Sequence, residues 1–169
     1  SRLVCDVPVN TEEELAYAGK FKEVVTELDK EGLKDMIAHV VEKDKRKEVL
    51  DMPLLDFKLD RSESYGGGGS TDVGDVSWCI PTAQINTSTF PAQAPGHSWQ
   101  NVSCGRTSIA HKNMLLAGKV IAATAIDLME KPDVLQAAKD EFNKKMKRYG
   151  GYTCPVPQGA VPVIPGEKM

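Results

Sequence analysis

The first regular pattern along the chain is an apolar stripe that begins after Thr11 and runs to Leu28. Its members recur at spacings of three and four residues, with charged residues opposite them, as in an amphipathic surface helix. Thr11 and Glu14 match a capping box, because their side chains can satisfy backbone N–H groups at a helix N-terminus. The pattern predicts a helix over 11–31 that Gly32 ends. The apolar positions are Leu15, Ala18, Phe21, Val24, Val25 and Leu28.

Two weaker patterns follow. Residues 33–50 carry a less regular helical pattern, and the charge run at 42–48 within it is typical of a solvated face. Residues 81–90 are rich in β-branched residues and alternate apolar with polar positions, which is the period of a strand. We therefore expect a strand at about 82–88 that lies inside a sheet.

The longest pattern predicts a helix from Ile109 to about Glu130, capped by Thr107 or Ser108. Its small residues allow close packing against the predicted strand, so we expect an α/β fold with helices packed on the sheet. A second helix is expected over 132–148, followed by a proline-rich tail. The packing face is expected to contain Ala117, Ala122 and Ala125.

The composition excludes several classes of protein. Of the 169 residues, 41% are hydrophobic and 27% charged, as in a soluble globular domain. The net charge of -3 gives no basic surface for nucleic acid. The longest apolar stretch, at 114–129, is interrupted by Lys119 and Asp127, so no membrane span is predicted.

The chain begins Ser-Arg-Leu-Val-Cys, without Met or a signal peptide, which indicates a cytoplasmic fragment of a longer protein.

The cysteines do not indicate a metal site. They are spread along the chain without a C-x-x-C pair, which disfavours a zinc ribbon and favours free cytosolic thiols. Cys79 lies in an apolar run and is expected to be buried. The other three are Cys5, Cys104 and Cys154.

Four consecutive glycines, Gly66 to Gly69, precede a polar cluster. A backbone without side chains can adopt positive φ, which suits a loop that a ligand approaches closely. A flexible linker is the alternative, but the cluster that follows is too specific in composition to continue a linker. A P-loop is not indicated, because no Lys-Ser/Thr pair follows Gly69.

Among the three histidines, His97 is the main candidate for a functional site. It ends a loop after the predicted strand, and ligands and catalytic groups concentrate on such loops. His39 lies in a helical pattern and is expected to be structural, whereas His111 is a candidate for orienting another group. One histidine alone cannot form a zinc site, because at least three protein ligands are needed.

Two carboxylates of the polar cluster, Asp72 and Asp75, have two possible roles. Either can hold an imidazole in place through a hydrogen bond. Either can also cap a helix. The spacing alone does not decide between these roles.

Three sequence blocks together resemble a known family. They keep the family's order over residues 66–130 and resemble the C-terminal part of the aminobenzoyl-glutamate utilization protein B-like members of the aminoacylase and carboxypeptidase zinc peptidase family. Helix 11–31 resembles the segment that follows the family's inserted lid domain. The blocks are Gly69-Ser-Thr-Asp-Val-Gly-Asp-Val-Ser-Trp78 with Pro81-Thr82, Gly96-His-Ser-Trp-Gln100, and Ser108-Ile-Ala-His-Lys112.

The resemblance implies a hydrolase with a mixed-sheet catalytic domain and two divalent metal ions, zinc or manganese, which activate a water molecule. The other metal ligands and the Glu that acts as general base have no match, so no catalytic residue is assigned in this chain. The four glycines in a row and Asn113 depart from the family pattern, which leaves the substrate preference open. The implied roles are metal ligand for His97, substrate loop for Gly67, Gly68 and Gly69, and support of the ligands for Asp72, Asp75 and His111.

The resemblance also implies the organisation of the chain. Residues 1–60 are the helical segment after the lid domain, 61–130 the glycine loop, strand, metal-ligand loop and long helix, and 131–169 a helix and tail. The expected function is that of a fragment of a metal-dependent amidohydrolase or peptidase for an N-acyl or N-aroyl amino acid such as aminobenzoyl-glutamate. Its partner is the missing N-terminal part of the same protein, in a homo- or hetero-oligomer. The fragment alone is expected to be inactive. The alternative is a non-catalytic α/β domain that binds a ligand or partner.

Overall fold

The computed structural model of the chain describes residues 6–55 and 71–161. Within these ranges every regular element is helical. A short 3₁₀ turn, Phe21–Glu23, follows the first helix directly. The α-helices in chain order are α1 (Glu12–Lys20), α2 (Glu27–Val40), α3 (Arg46–Asp51), α4 (Val73–Cys79), α5 (Trp99–Gly105), α6 (Ser108–Glu130) and α7 (Pro132–Tyr149).

The predicted α/β fold with a sheet is wrong for the described part of the chain. Residues 81–89 have no regular secondary structure. The β-type pairing seen in the described ranges is one antiparallel bridge, between Leu54 and Pro91. A strand is stabilised by backbone hydrogen bonds to a neighbouring strand. The segment predicted as a strand, 82–88, has no such neighbour there, so its alternating pattern does not produce a strand.

The chain divides into two compact units. Unit 1 consists of Ser1–Gly67 and Ile85–Asp127, and unit 2 consists of Gly68–Gln84 and Leu128–Met169. Unit 1 therefore contains α1 to α3, α5 and most of α6. Unit 2 contains α4, the last turn of α6 and α7.

The predicted capping box at the first helix is confirmed. The Thr11 hydroxyl accepts a hydrogen bond from the Glu14 backbone N–H at 3.2 Å, and the Glu14 carboxylate accepts one from the Thr11 N–H at 2.7 Å. These bonds satisfy two N–H groups that a helix N-terminus would otherwise leave without a partner.

The predicted single helix over 11–31 is wrong, because a second capping box divides it. The Thr26 hydroxyl accepts from the Asp29 N–H at 3.2 Å, and the Asp29 carboxylate accepts from the Thr26 N–H at 2.9 Å. A new helix, α2, therefore starts after Thr26. Gly32 lies inside α2 and does not end it.

Glu14 also joins α1 to the N-terminus of α6. Its carboxylate accepts from the Lys112 ammonium at 2.6 Å and from the Ser108 hydroxyl. Lys112 in turn donates to the backbone carbonyl of Val9 at 2.8 Å. The hydrogen bond from Lys112, followed by those from Ser108 and the Thr11 backbone, lowers the pKa of Glu14 to about 2. Donors from the start of α1 and from the start of α6 thus meet at one carboxylate.

Among the described residues of unit 1, the buried side chains form two hydrophobic clusters. The first joins α1, the segment after α3, α5 and α6, and Leu15 and Tyr17 pack against it. The second joins α2 to α3, with Met36, Val41 and Leu50 at its border. The buried members are Ala18, Leu54, Cys104 and Ile109 in the first cluster and Leu33, Ile37 and Val49 in the second.

The predicted long helix is confirmed as α6, but the face expected to pack on a sheet does not do so. Ala122 is exposed, and Ala117 and Ala125 are only partly covered. The buried positions lie near the start of the helix, at Ile109, Ala110 and Asn113. No helix in the described ranges is long and apolar enough to cross a membrane.

A broad apolar surface of α6 is exposed. We call it the open face of α6. At 3.6 residues per turn its large residues fall within less than half of the helix circumference, so they form one side of the helix. The large residues of the open face are Met114 (62% exposed), Leu115 (62%), Ile121 (60%), Ile126 (45%) and Met129 (81%).

The second capping box predicts a local loss of stability. Thr26→Ala removes the acceptor for the Asp29 N–H and should lower the unfolding free energy by about 1 kcal/mol. The matched control is Thr124→Ala, since the Thr124 hydroxyl donates to the Val120 carbonyl inside α6 and this bond adds little to a helix. Urea unfolding followed by circular dichroism measures both. Equal effects of the two substitutions would contradict the role of Thr26 as a cap.

The Glu14 cluster predicts a pH dependence of stability. The folded pKa of about 2 lies below the ordinary value of 4.5, so the charged carboxylate stabilises the fold above pH 4.5. This contribution is lost as the pH falls from 4.5 to about 2. Glu14→Gln should lower stability at pH 7 by about 1–3 kcal/mol and approach the unmodified chain near pH 2.

Urea unfolding at pH 7, 4 and 2.5 measures this effect. Glu141→Gln is the control, because Glu141 forms an exposed pair with Lys145 within α7 and such pairs contribute little. A Glu14→Gln variant that differs from the unmodified chain by the same amount at pH 7 and pH 2.5 would rule out the proposed linkage.

Candidate functional site

The loop that leads to His97 is anchored to the segment after α3. The Ala92 N–H donates to the Pro53 carbonyl at 2.9 Å. The Gln93 side-chain amide donates to the Leu50 carbonyl at 3.1 Å. These two bonds fix the start of the loop on the core of unit 1, so the loop is held at a defined position although it has no regular structure.

His97 occupies a tight turn directly before α5. Its φ of 53° is in the left-handed region, which residues with side chains adopt at a cost. The next residue, Ser98, accepts a hydrogen bond from the Asn101 N–H at 3.4 Å as the cap of α5 and donates to the Pro95 carbonyl at 2.7 Å. The imidazole of His97 is exposed. Backbone strain followed by a cap thus presents this side chain at the surface, as is common at functional positions.

Buried polar atoms follow His97. Gln100 is only 6% exposed, and its carbonyl oxygen has no hydrogen-bond partner in the described ranges. The side-chain oxygen of Asn101 is likewise buried and without a partner there. Buried polar groups in native proteins almost always have a partner. The surroundings of the His97 turn therefore have unused hydrogen-bonding capacity.

The described residues do not form a complete metal site. No group of three or more His, Cys, Asp or Glu side chains in these ranges lies close enough to hold a metal ion. His111 is exposed in the first turn of α6, and the carbonyl of Thr107 accepts a hydrogen bond from its backbone N–H at 3.2 Å. A catalytic zinc site needs three protein ligands. The described residues therefore do not fit a bound metal ion by themselves.

Asp72 and Asp75 lie at the start of α4, in unit 2. Asp72 stands at the cap position of α4, but its side chain makes no capping bond. The Thr71 hydroxyl instead accepts a hydrogen bond from the Val73 N–H at 3.3 Å. Asp75 accepts a hydrogen bond from the Tyr152 hydroxyl at 2.5 Å. That hydrogen bond to Asp75, ahead of the other contributions, raises the pKa of Tyr152 well above its ordinary value.

Aromatic side chains surround the hydrogen bond between Asp75 and Tyr152. The Trp78 ring lies 6.5 Å from the Tyr152 ring with a 25° angle between their planes. Tyr149 meets Trp78 edge to face at 5.9 Å, and the Arg148 guanidinium lies 5.5 Å from the Tyr149 ring centre. These distances fall within the range of favourable aromatic and cation–π contacts.

A cleft of about 460 Å³ opens beside these rings, and we call it the α4 cleft. One wall comes from α4 and the other from the segment after α7. The residues that matter for its chemistry are Thr71, Asp75, Trp78, Tyr152 and Pro155.

Two glycines make the α4 cleft possible. Gly150 (φ 80°) and Gly151 (φ 87°) adopt the left-handed conformation, and both donate their N–H groups to the Met146 carbonyl. This is the usual end of a helix at glycine. The chain turns back after α7, and the hydroxyl of Tyr152 reaches Asp75.

Two of the predicted site residues occupy distinctive positions within their own units. Asp75 lies in a cleft of unit 2, and His97 lies in a strained turn of unit 1. The predicted substrate loop, Gly67, Gly68 and Gly69, lies outside the described residues. Sequence reasoning missed Trp78 and Tyr152, although the Tyr-Gly-Gly-Tyr sequence at 149–152 is a signal for a helix end followed by a reversal.

The cysteines of the described ranges, Cys79, Cys104 and Cys154, are free thiols. The prediction that Cys79 is buried is wrong, because its side chain is exposed. Cys104 is the buried one, and its thiol donates to the Thr89 carbonyl. Burial raises the pKa of the Cys104 thiol by more than the hydrogen bond with Thr107 lowers it. This thiol is therefore not activated as a nucleophile.

The chain is similar to known hydrolases over about half its length. Over 93 residues it is 47% identical to a p-aminobenzoyl-glutamate hydrolase subunit of Escherichia coli (strain K12), a match that covers 55% of this chain and 19% of that protein. This confirms the resemblance over that stretch. The Xaa-Arg dipeptidases of Homo sapiens and Mus musculus are 27% and 29% identical over 93 and 97 residues, with 55% of this chain and 21% of theirs covered.

The extent of the match is limited. The matched part of the chain corresponds to about a fifth of the length of these relatives. No protein-family model matches the chain, and no solved structure matches it.

The positive φ of His97 predicts an unusual order of stabilities. His97→Gly should leave the unfolding free energy unchanged or raise it by up to about 1 kcal/mol, because glycine adopts this conformation without strain. His97→Val should lower it by about 1 kcal/mol or more, since a β-branched residue is strongly disfavoured there. Thermal and urea unfolding measure both variants.

The same pair of substitutions at His39, in the last turn of α2, is the control. Glycine is a poorer helical residue than valine, so His39→Gly should be less stable than His39→Val. The same order at both positions would contradict the left-handed conformation of His97.

Proposed function

We propose that this chain is the part of a metal-dependent amidohydrolase or peptidase that carries one metal ligand, His97. The substrate of the whole enzyme is an N-acyl or N-aroyl amino acid such as aminobenzoyl-glutamate. Two divalent metal ions, zinc or manganese, serve that enzyme, and its other ligands and general base belong to parts of the protein outside this chain.

The similarity to the p-aminobenzoyl-glutamate hydrolase subunit carries the proposal. Its identity of 47% over 93 residues is well above the 27% and 29% identity of the two dipeptidases. The names of all three relatives describe hydrolases, and their substrates share an amide bond to an amino acid. An amide hydrolase is therefore the activity that agrees with every relative.

The surroundings of His97 support its role as a ligand. The imidazole is exposed on a turn that the Ala92 and Gln93 hydrogen bonds hold in place. A metal ligand needs a fixed position, and an oriented imidazole is usually held by further hydrogen bonds. The unpaired oxygens of Gln100 and Asn101 supply acceptors of this kind near the turn.

The remaining roles are part of the same proposal. Asp72, Asp75 and His111 support ligands of the intact site through hydrogen bonds, and the glycines at 67–69 face the substrate. The Escherichia coli relative is named as one subunit of its hydrolase. We propose by analogy that the intact protein also works with a second kind of subunit.

The isolated chain should not hydrolyse aminobenzoyl-glutamate, with or without added Zn²⁺ or Mn²⁺, because one imidazole cannot hold a catalytic metal ion. In a chimera, the matching stretch of the Escherichia coli protein is replaced by the part of this chain that includes His97. This chimera should be active, and His97→Ala should reduce its turnover by more than the roughly 10–100-fold that a supporting residue costs.

Metal content and turnover, measured together with a thermal melt, test this expectation. His111→Ala should cost about 10–100-fold, and Lys119→Ala is the control because Lys119 is exposed on α6. Hydrolysis by the isolated chain would refute the proposed division of the site, and a His97→Ala chimera with full turnover and metal content would refute the role of His97.

A further inference from the structure

The open face of α6 has a composition that contact with water does not explain. In unit 1 it presents Met114, Leu115, Ile121 and Ile126, which are 45–62% exposed. Lys119 is the one charged residue in the sequence between Met114 and Ile126. It lies beyond one edge of the face, because successive residues of a helix are about 100° apart. Contiguous apolar patches of this kind usually mark a contact with another surface.

Gly118 lies in the middle of this face and is exposed. Glycine is a poor residue for a helix interior, and the described part of the chain does not require one here. A Cβ at Gly118 would meet no atom of the described residues within 4 Å. The glycine leaves a gap through which another surface can approach the helix backbone closely. Its neighbours three and four positions away are Met114, Leu115, Ile121 and Ala122.

We propose that the open face of α6 is an intramolecular interface, covered in the intact protein by an apolar surface of the part that lies outside this chain. The inference rests on the proposed function in one respect, namely that this chain is part of a longer protein. The matched stretch is about a fifth of the length of the relatives, so most of each relative lies outside it. The proposed function assigns no surface of this chain to contact with that remainder, and this inference supplies one.

The chemistry of the face selects an apolar occupant. Met114, Leu115, Ile121 and Ile126 offer neither a charge nor a hydrogen-bonding partner. A charged or strongly polar surface laid on them would lose its hydration without compensation. An apolar surface instead removes both itself and the open face from water.

A second copy of this chain is a poorer occupant than the remainder of the same protein. From Met114 to Ile126 the face is about 18 Å long and about 10 Å wide, or roughly 180 Å². Two copies joined by this strip alone would bury less than the roughly 1,200 Å² at the lower end of stable interfaces. A surface of the same polypeptide does not need so large an area, because the covalent connection gives it a high effective concentration.

Oxidation of Met114 by hydrogen peroxide measures whether the face is covered, because conversion of the thioether to the sulfoxide requires access to the sulfur. The rates are read by peptide mass spectrometry in the isolated chain and in the chimera described above, with α6 included in the exchanged part. Met114 is 62% exposed in this chain and should react there as an exposed methionine. In the chimera it should react at least about tenfold more slowly.

The matched control is Lys119→Met, which places a methionine on the same helix beyond the edge of the face, at an exposed position. This methionine should react at similar rates in both proteins. Equal rates for Met114 in the two proteins would overturn the proposal. Protection of Met114 in the isolated chain that increases with chain concentration would also overturn it, because the occupant would then be a second copy.

Gly118 provides a second test with opposite signs in the two proteins. In the isolated chain, Gly118→Leu should raise the Tm by about 2–4 °C, because leucine is the better helix former and the space around Gly118 is open. In the chimera the same substitution should lower the Tm by about 2 °C or more, since the leucine occupies the gap that the covering surface fills. Lys119→Leu, beyond the edge of the face, should change both proteins alike. A higher Tm of Gly118→Leu in both proteins would contradict a close approach at this position.

Neither readout uses turnover, so failure of this inference and failure of the proposed function are distinguishable. A folded, inactive chimera with a protected Met114 would refute the proposed function and support the interface. An active chimera in which Met114 reacts as fast as in the isolated chain would overturn the interface and leave the proposed function intact. Both measurements apply equally to the intact protein that contains this chain, so they do not depend on the folding of the chimera.

Discussion

Unit 1 depends on the carboxylate of Glu14, which serves two helix N-termini at once. It closes the capping box of α1 with Thr11 and accepts from Ser108 and Lys112 at the start of α6. Both N-termini carry partial positive charge, so one anion stabilises both. Ala18 follows one turn after Glu14 and Ile109 follows Ser108, and both are core residues. The polar contact and the first hydrophobic cluster therefore fix the same pair of helices.

Local signals in the sequence were sufficient for the start of α1 and for the long helices α6 and α7, but they did not predict the short helices α4 and α5. The capping box at Thr11, the limits of α6 and the start of α7 at Pro132 agree with the structure. The division between α1 and α2 was missed, because Asp29 at the third helical position caps Thr26 as a Glu would. The sequence therefore contains two capping boxes, one closed by Glu14 and one by Asp29.

The alternating pattern of residues 82–88 predicts a strand that does not form. Whether a strand forms depends on a partner strand elsewhere in the chain, which the segment's own pattern does not reveal. Helical hydrogen bonds are made within one segment, whereas those of a strand are made to another strand. Residues 82–88 have the right alternation and no partner in the described ranges. The α4 cleft was not predictable for the same reason, because it depends on a contact between distant segments. Tyr152 reaches Asp75 only because the chain reverses direction after α7. The position of His97 at the end of a loop is visible in the sequence. Its left-handed backbone is not, because the neighbouring Gly96 would adopt that conformation more easily and yet His97 has it.

The open face of α6 shows that the hydrophobicity of a side chain and the area it buries are different quantities. Ile109 and Met129 are both large apolar residues on the same helix, yet Ile109 is fully buried and Met129 is 81% exposed. Ile109 therefore stabilises the fold of this chain by burying apolar area, whereas Met129 buries little. A scan of substitutions scored by the unfolding of these 169 residues would class Met114, Ile121 and Met129 as tolerant positions. That tolerance is a property of the surface this chain exposes to water, and it carries no information on how the same side chains behave wherever the face is covered.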